Sequence, residues 1–335
     1  MADVLSPTQD GADVPTEIKL RPKKFDEFIG QRDLIDRLNI AMTAAEERKE
    51  AMDHILLCSP PGLGKTSIAT VLSNECKLPI KTVTATSITC LGELISLLVD
   101  IENRGILFLD ECHALPRKVQ EHMFSAMEDR TVDIKTPGTT NKQIVSLKLN
   151  SFCLVGATTD VGRLVQPFRD RFGIVHQLDY YNDKDLIEIL KKNLDKLKMG
   201  KINDELLGTL ASRARGTPRI AIRLLKRIRD YAQVKANNKI SPTVVKEALK
   251  LEGIDELGLD KLDRLYMWTL FDIYGGGPAG LNSVSTTMGE DKTTIHGSVE
   301  PYLTKRGFIF RAKNGRQLTE KGWTYVIDNL KKDKK

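Results

Sequence analysis

Cysteine is scarce in this chain of 335 residues, and its placement excludes two common kinds of stabilising site. The five cysteines are scattered, odd in number and never spaced as C-x-x-C, which predicts reduced thiols rather than a disulfide framework or a zinc site. They are Cys58, Cys76, Cys90, Cys112 and Cys153. Long apolar runs are also missing, and no stretch approaches the roughly 20 residues needed to cross a bilayer. The sequence therefore predicts a protein without a membrane partner.

A targeting pattern is missing at the N-terminus as well. The opening segment MADVLSPTQDGADVPTE is acidic and polar, without the basic-then-apolar order of a signal peptide. We expect residues 1–18 to be a mobile arm and the protein to be cytoplasmic. Hydrophobic residues make up 41% and charged residues 29%, which is typical of a globular protein with several domains. The net charge of +6 is compatible with a polyanionic partner but does not demonstrate one.

Short apolar runs alternate with helix-length segments over residues 19–181. The runs are HILLC, IKTVTA, GILFLD, SFCLVGATT and GIVHQLDY. Continuous apolar strands separated by helices predict a parallel sheet covered on both faces, and therefore an α/β domain. Residues 129–150 interrupt this alternation with two extended stretches around TPGTTN. We interpret them as a projecting hairpin that contacts a partner or DNA.

Two smaller domains are predicted after the α/β domain. Residues 182–254 are helical by pattern, and SPTVVKEALKLEG carries a capping serine, a proline in the first turn and a closing glycine. Residues 255–330 begin with three predicted helices and end in FIFRAKNGRQLT, whose two extended arms surround Asn314-Gly315. Three helices followed by a hairpin describe a winged helix.

The segment SPPGLGKTS, between an apolar strand and an amphipathic helix, predicts a phosphate-binding loop. The glycines allow backbone N–H groups to turn inward, and the helix adds its positive N-terminal end. The residues assigned to nucleotide are Gly62, Gly64, Lys65, Thr66 and Ser67. Lys65 reaches the β- and γ-phosphates of ATP, and the Thr66 hydroxyl ligates Mg²⁺. The first glycine of the pattern is replaced by Ser59, for which we expect a negative φ and near-normal ATP binding.

The strand GILFLDECH places Asp110 and Glu111 at its C-terminal end, where ligands bind in α/β sheets. We assign Asp110 to the Mg²⁺ shell and Glu111 to the attacking water. DECH also labels helicases with two recombinase-like lobes, but no second lobe is visible in this sequence. We interpret His113 as a structural or nucleic-acid-sensing residue rather than a catalytic base.

Three further polar positions follow along the chain. Either Thr158 or Thr159 of GATT contacts the γ-phosphate or the water, and Thr158 is the one taken as catalytic. Arg171 of RDRFG can reach a neighbouring subunit's γ-phosphate, although an exposed Arg-Asp-Arg ion pair is the simpler alternative. Arg219 of RGTPR begins a helix of the second domain, where it can contact nucleotide.

The order of phosphate loop, acidic strand end, GATT, RDRFG and GTPR resembles the AAA+ ATPases. A longer set of phrases narrows the resemblance to the RuvB family of bacterial Holliday-junction branch-migration motors. These phrases are RPKKFDEFIGQ, PPGLGKT, DECH, AMEDR, GATT, RDRFGI, RGTPRIA, LGLDKLDR, GGGPAGL and EPYLTKRGF, covering about residues 20–325. The resemblance implies a AAA+ P-loop domain with a parallel sheet, a helical lid and a winged helix, assembled as a homo-hexamer that threads double-stranded DNA.

Further roles come from the resemblance alone. It implies that Leu20, Arg21 and Tyr181 line the nucleotide pocket, and it adds Glu128, Asp129 and Arg130 of AMEDR to the nucleotide-binding set. Arg311 and Arg316 match wing arginines that contact DNA. The hairpin of residues 129–150 matches the element that docks on the junction-recognising partner, RuvA.

The sequence departs from the family pattern at Ser59, at Cys112-His113-Ala114, where Ile-His-Arg is usual, and at Asp160, where an arginine is usual. The main functional hypothesis is an ATP-driven motor on branched DNA. One alternative is a nucleotide-switched DNA-binding protein of the initiator or clamp-loader type, without processive movement. Another is a subunit whose ATPase rises only when a junction-binding partner is added.

Overall fold

A computed structural model of the chain describes residue 5, residues 19–135 and residues 144–331. The described residues form two compact units, which divide between Tyr181 and Asn182. Apart from Leu5, the predicted arm over residues 1–18 lies outside the described residues. So does the tip of the predicted hairpin, residues 136–143.

The first unit is built on a five-stranded sheet whose strands are all parallel, in the spatial order β2-β3-β6-β1-β7. The strands are β1 Ile55–Cys58, β2 Ile80–Thr84, β3 Ile106–Asp110, β6 Cys153–Thr158 and β7 Ile174–Gln177. Every residue of β1 and β6 is buried, because these central strands are covered on both faces. The prediction of an α/β domain with a parallel sheet is therefore confirmed.

Helices precede and connect the strands of this sheet. They are α1 Arg32–Arg48, α2 Lys65–Cys76, α3 Leu91–Val99, α4 Arg117–Glu128 and α5 Gln166–Arg169. The apolar faces of α3, α4 and α5 pack with β3 into one core, which includes Leu107, Leu109, Met123 and Phe168. Burying such faces against a sheet is the main source of stability of α/β domains.

The parallel register brings three strand ends to the same edge of the sheet. Cys58, the last residue of β1, pairs with Thr158, the last residue of β6. Strand β3, which ends at Asp110, is the neighbour of β6 on its other side. The loops that follow these strands therefore start side by side, at the edge where α/β proteins bind ligands.

A separate antiparallel pair lies between α4 and β6. Its strands are β4 Thr131–Lys135 and β5 Ile144–Lys148. Val132 is buried against the sheet domain, whereas Val145 on the partner strand is 48% exposed. The two strands agree with the hairpin predicted over residues 129–150.

The second unit begins with four helices: α6 Asp183–Lys196, α7 Asp204–Arg213, α8 Pro218–Lys235 and α9 Pro242–Leu251. The start of α9 follows the predicted chemistry, since the Ser241 hydroxyl accepts a hydrogen bond from the Val244 amide at 3.3 Å and Pro242 occupies the first turn. Gly253 follows the helix with φ +71°, a conformation that glycine adopts without strain.

The winged helix completes the second unit. Its first two helices are α10 Lys261–Asp272 and α11 Leu281–Met288. The third helix, α12, consists of the consecutive pieces Lys292–Thr294, Ile295–Val299 and Glu300–Lys305. The strands β8 Ile309–Ala312 and β9 Gly315–Leu318 follow, and then a last helix in the pieces Glu320–Tyr325 and Val326–Leu330. Three helices and a hairpin confirm the predicted winged helix.

The hairpin turn lies one residue earlier than the Asn-Gly pattern suggests. Ala312 pairs with Gly315, so Lys313 and Asn314 form the loop and Gly315 already belongs to β9. Gly315 has φ +146°, and a Cβ built there would lie 2.6 Å from the carbonyl oxygen of Ala279. Glycine is required because the backbone of another segment packs directly against it.

Candidate active site

The phosphate loop has the backbone geometry that its sequence requires. Gly62 and Gly64 have φ values of +83° and +105°, which side chains larger than glycine rarely adopt. Helix α2 starts at Lys65, so the amides of its first residues have no partner within the helix and are available to an anion. The loop therefore fits a polyphosphate.

Lys65 is nearly buried inside this loop, with 7% of its surface exposed. Its ammonium group donates to the Ser59 carbonyl oxygen at 2.8 Å and approaches the Ser59 hydroxyl at 3.3 Å. The contacts of the cation thus include neutral oxygen atoms of the same loop. A phosphate oxygen carries negative charge and attracts an ammonium group more strongly than these neutral acceptors do.

Ser59 is accommodated without strain. Its φ is negative, as expected from the sequence. Its amide donates to the Thr158 carbonyl oxygen at 3.1 Å and its hydroxyl donates to the Pro60 carbonyl oxygen at 2.9 Å. The substitution thus lies at the exit of β1 and leaves the glycines of the loop in place.

Among the predicted pocket residues, Tyr181 contacts the phosphate loop directly. Its hydroxyl lies 3.5 Å from the Leu63 carbonyl oxygen, and its oxygen and the Phe28 ring both lie close to Gly64. Leu20 is buried and Arg21 is half-buried. The segment that follows them is fastened to the end of α2, where the Phe25 amide donates to the Glu75 carboxylate at 2.9 Å.

The acidic pair stands at the end of β3. Glu111 adopts φ +49°, a conformation that is uncommon outside glycine and is found at functional sites. Its amide donates to the Asp110 carboxylate at 3.1 Å. Its carboxylate oxygen Oε2 accepts hydrogen bonds from Thr159, at 2.9 Å from the hydroxyl and 3.3 Å from the amide.

The structure distinguishes the two threonines of GATT. Thr159, not Thr158, contacts Glu111. Thr158 is fully buried, and its hydroxyl lies 2.9 Å from Nδ1 of His113 and accepts from the Asp160 amide at 3.0 Å. Thr158 is the last residue of β6, whereas Thr159 follows the strand and is exposed. The contact with the acidic pair therefore belongs to the alternative threonine.

His113 takes a larger part in the site than its sequence context suggests. Its Nδ1 lies 3.2 Å from Glu111 Oε2 as well as 2.9 Å from the Thr158 hydroxyl, and 11% of its side chain is exposed. It links the acidic pair to β6. The only sequence signal for this role was its position two residues after Glu111.

The other departures from the family pattern have structural explanations. Cys112 is fully buried in the core of the first unit, and burial raises the pKa of its thiol far above the usual range, so it is a packing residue and not a nucleophile. Ala114 packs against the same core. Asp160 accepts a hydrogen bond from the Gly162 amide at 3.1 Å and caps a short turn.

Among the AMEDR residues, Glu128 meets another predicted site residue. Its carboxylate lies 2.7 Å from Nη2 of Arg171, the candidate arginine finger. Asp129 is exposed at the end of α4. The Arg130 guanidinium instead approaches Nε2 of His54 at 3.3 Å and stacks over the Phe152 ring, and burial lowers its pKa. In this chain Arg130 therefore packs against the core of its own unit.

The remaining predicted residues lie in the second unit. Arg219 is in the first turn of α8, directly after Pro218. Arg311 and Arg316 pair with each other across the hairpin, as expected of residues flanking its tip. Both guanidinium groups also contact the carboxylate of Glu300 in α12, at 2.7 Å and 2.8 Å, a partner that sequence reasoning missed.

Glu300 is fully buried and fully paired. Its Oε1 accepts from the Tyr266 hydroxyl at 3.0 Å in addition to Arg316. Burial alone raises the pKa of a carboxyl, but hydrogen bonds from Arg316 and Tyr266 and the charges of both wing arginines hold the pKa of Glu300 below its usual value. The wing arginines therefore share a buried counter-ion.

The described residues contain no group of three or more His, Cys, Asp or Glu side chains able to hold a metal ion. Nucleotide-bound Mg²⁺ needs fewer protein ligands, because phosphate oxygens and waters complete its shell. The hydroxyl of Thr66 and the carboxylate of Asp110 have the required oxygen chemistry. No helix in the described parts of the chain has the length and apolarity to span a membrane.

The fold and the site together define the chain as a AAA+ P-loop protein that carries a lid and a winged helix. Three family models match consecutive parts of it: the Holliday junction DNA helicase RuvB P-loop domain (residues 20–178), the RuvB AAA lid domain (181–255) and the RuvB C-terminal winged helix domain (256–327). The chain belongs to the RuvB family.

Curated relatives and solved structures agree with this assignment. The Holliday junction branch migration complex subunit RuvB of Ligilactobacillus salivarius is 45% identical over 310 residues, covering 92% of each chain. The same subunit of Enterococcus faecalis is 43% identical over 94% of this chain and 93% of its own. The Thermotoga maritima RuvB Holliday junction branch migration motor superposes with a TM-score of 0.82 at 39% identity, covering 92% of this chain and 98% of that one.

Proposed function

We propose that this protein is an ATP-hydrolysing hexameric motor that translocates double-stranded DNA and drives Holliday-junction branch migration in recombination and repair. The observation that carries the proposal is the meeting of phosphate loop, Glu111 and Thr159 at adjacent strand ends, within a chain that also carries a winged helix. The branch-migration names of its relatives support the substrate. Because its substrate is chromosomal DNA, we place the protein in the cytoplasm.

Within one subunit, the loop amides from Gly62 to Ser67 bind the phosphates, and Lys65 neutralises charge on the β- and γ-phosphates. Glu111 orients a water molecule for in-line attack and accepts its proton. Thr159 holds the Glu111 carboxylate through its hydroxyl and amide, so it keeps this base aimed at the end of the loop. Mg²⁺, held by Thr66 and Asp110, supplies further neutralisation of phosphate charge when bound.

Other residues act between subunits or on partners. Arg171 is supplied to the nucleotide of the neighbouring subunit, and Arg219 reports the nucleotide state to the lid. Leu20, Arg21, Tyr181 and Asp129 complete the nucleotide pockets. Arg311 and Arg316 contact DNA phosphates from the wing, and the hairpin of residues 129–150 docks on a RuvA-like junction-binding protein.

The test is Glu111→Gln, which keeps the shape of the side chain but removes the base. We expect ATP to bind with near-normal affinity while hydrolysis falls about 10²–10⁴-fold, and junction migration with the RuvA-like partner should stop. Migration assays with and without that partner, on four-way and linear DNA, provide the readout. Continued migration by this variant, or a wild-type complex that remains static on junctions, would show that the protein is not such a motor.

A further inference from the structure

The guanidinium group of Arg171 is held by contacts within its own chain. Nη2 pairs with the Glu128 carboxylate at 2.7 Å, and Nη1 donates to the Pro167 carbonyl oxygen at 2.7 Å. Its Cζ atom lies over the Phe124 ring, 5.0 Å from the ring centroid. Phe124 and Glu128 are one turn apart on α4 and therefore face the same side of that helix.

The aromatic part of this arrangement is itself anchored. The Phe124 ring stacks on Phe168 with centroids 6.3 Å apart, and Phe168 packs edge-on against Phe172 at 5.2 Å. Phe168 and Phe172 are buried and flank the segment that carries Arg171. A Cβ built at Gly156 in β6 would lie 3.2 Å from the Phe172 ring, so this ring rests directly on the strand that ends in GATT.

We propose that Phe124 and Glu128 form a cradle that positions Arg171 as the residue a subunit gives to its neighbour's nucleotide. This inference rests on the proposed function and deepens it, because it assigns a role to Phe124 and moves Glu128 from nucleotide contact to positioning of the finger. The ring attracts the cation to its face, and the carboxylate restricts the rotation of the guanidinium group.

The geometry leaves the finger able to act while it is held. An arginine has five N–H donors; Nε of Arg171 is buried, and the contacts above use one donor on each Nη. One N–H on each Nη remains for phosphate oxygens. Glu128 is 61% exposed, so its pairing is a weak surface interaction that orients the cation without competing strongly against a phosphate.

The cradle is tested with Glu128→Gln and Phe124→Leu, measured as steady-state ATPase of the DNA-stimulated full-length assembly. Misplacing a catalytic group by about 1 Å costs up to 10²-fold, so we expect kcat to fall about tenfold while KM for ATP stays within about twofold. Glu121→Gln is the matched control, since Glu121 lies on the same helix and forms a long ion pair with Arg117 at 4.0 Å. This variant should leave both constants unchanged.

A double-mutant cycle separates positioning from direct nucleotide contact. Arg171→Ala should lower kcat about 10³-fold or more, and adding Glu128→Gln or Phe124→Leu should cause no further loss, because the residue they position is gone. Losses that multiply, or a Glu128→Gln variant whose kcat is unchanged, would overturn the cradle.

Mixed assemblies then test whether the cradle acts between subunits. Glu128→Gln subunits keep an intact phosphate loop, and Lys65→Ala subunits keep an intact finger, so mixing the two should restore ATPase above either alone. Failure to complement would place Glu128 at its own nucleotide and contradict the inference. If Arg171→Ala itself leaves kcat unchanged, the finger assignment in the proposed function fails instead, and the two failures are distinguishable.

Discussion

Charged side chains are held differently in the two compact units. In the first unit, Lys65 contacts neutral oxygens of its loop and Glu111 contacts a threonine and a histidine. In the second unit, Glu300 is buried between two arginines, and the buried Arg215 pairs with both Asp260 and Asp263. Charges with replaceable partners can be taken over by a ligand, whereas buried ion pairs are costly to break.

The buried arginine of the second unit also connects several helices. Arg215 lies in the helical part of the second unit and contacts the N-terminus of α10, where Asp260 and Asp263 cap each other's backbone amides. Its guanidinium also lies 4.5 Å from the centroid of the Tyr302 ring in α12. These contacts fasten helices that share a small core, which is a structural task rather than a chemical one.

Matched glutamate-to-glutamine variants test this comparison most strongly. Glu300→Gln keeps the volume but weakens the hydrogen bonds from two partly exposed arginines, so we expect a loss of about 1.5–3 kcal/mol in the free energy of unfolding of the second unit. Glu111→Gln should change the free energy of unfolding of the first unit by less than about 1 kcal/mol, because the partners of Glu111 are neutral or partly exposed. Urea unfolding curves of both variants give the answer, and equal losses would remove the distinction.

Acid should affect the two units in different pH ranges. In the first unit, the Leu154 amide donates to Nδ1 of His54, so Nε2 carries the proton and donates to the Met127 carbonyl at 3.2 Å. Burial, aided by the charge of Arg130 and opposed by the Met127 carbonyl, lowers the pKa of His54 to about 4. Its unfolded value is about 6.5.

The unfolded chain therefore binds the His54 proton first as the pH falls. The contribution of His54 is intact above pH 6.5 and declines between about 6.5 and 4, with a total loss of about 3 kcal/mol. Glu300 has a lowered pKa, so its contribution is lost only below the usual carboxyl range. NMR titration of the His54 ring checks the prediction, and an apparent pKa near 6.5 would refute it.

The two threonines of GATT provide a comparison inside the first unit. Thr158→Val leaves His113 and the Asp160 amide without a buried hydrogen-bond partner, so we expect a loss of about 1–3 kcal/mol in the free energy of unfolding. Thr159→Val removes the hydroxyl on Glu111 at a more exposed position and should lower ATPase with little effect on stability. Denaturation and steady-state ATPase on both variants distinguish them; the reverse assignment of effects would restore Thr158 as the catalytic residue.

The smallest change is expected in ATP affinity when Ser59, which replaces the first glycine of the loop pattern, is substituted. Because Ser59 has a negative φ, Ser59→Gly relieves no strain and should change ATP affinity less than tenfold, or by under about 1.4 kcal/mol. Isothermal titration with a non-hydrolysable ATP analogue measures it. A larger gain in affinity would mean that the serine does obstruct the loop.

Local sequence patterns predicted the elements of this protein well where the signal was contiguous. The phosphate loop, the acidic strand end and the parallel strands are each encoded within a few neighbouring residues, through glycine dihedrals, helix starts and apolar runs. The Asn-Gly pattern located the wing but misplaced its turn by one residue, since the close approach of Ala279 places glycine inside β9.

The sequence by itself determined the family, the three kinds of domain and the identity of the loop residues, because motif order and spacing are properties of the chain. The tertiary structure decided which threonine meets Glu111, that Glu300 lies between the wing arginines, and that Phe124 lies beneath Arg171. His113 and Thr158 are 45 residues apart in the chain, and their contact depends on the pairing of β3 with β6. Partners of this kind are set by sheet register and helix packing, for which no local pattern is a substitute.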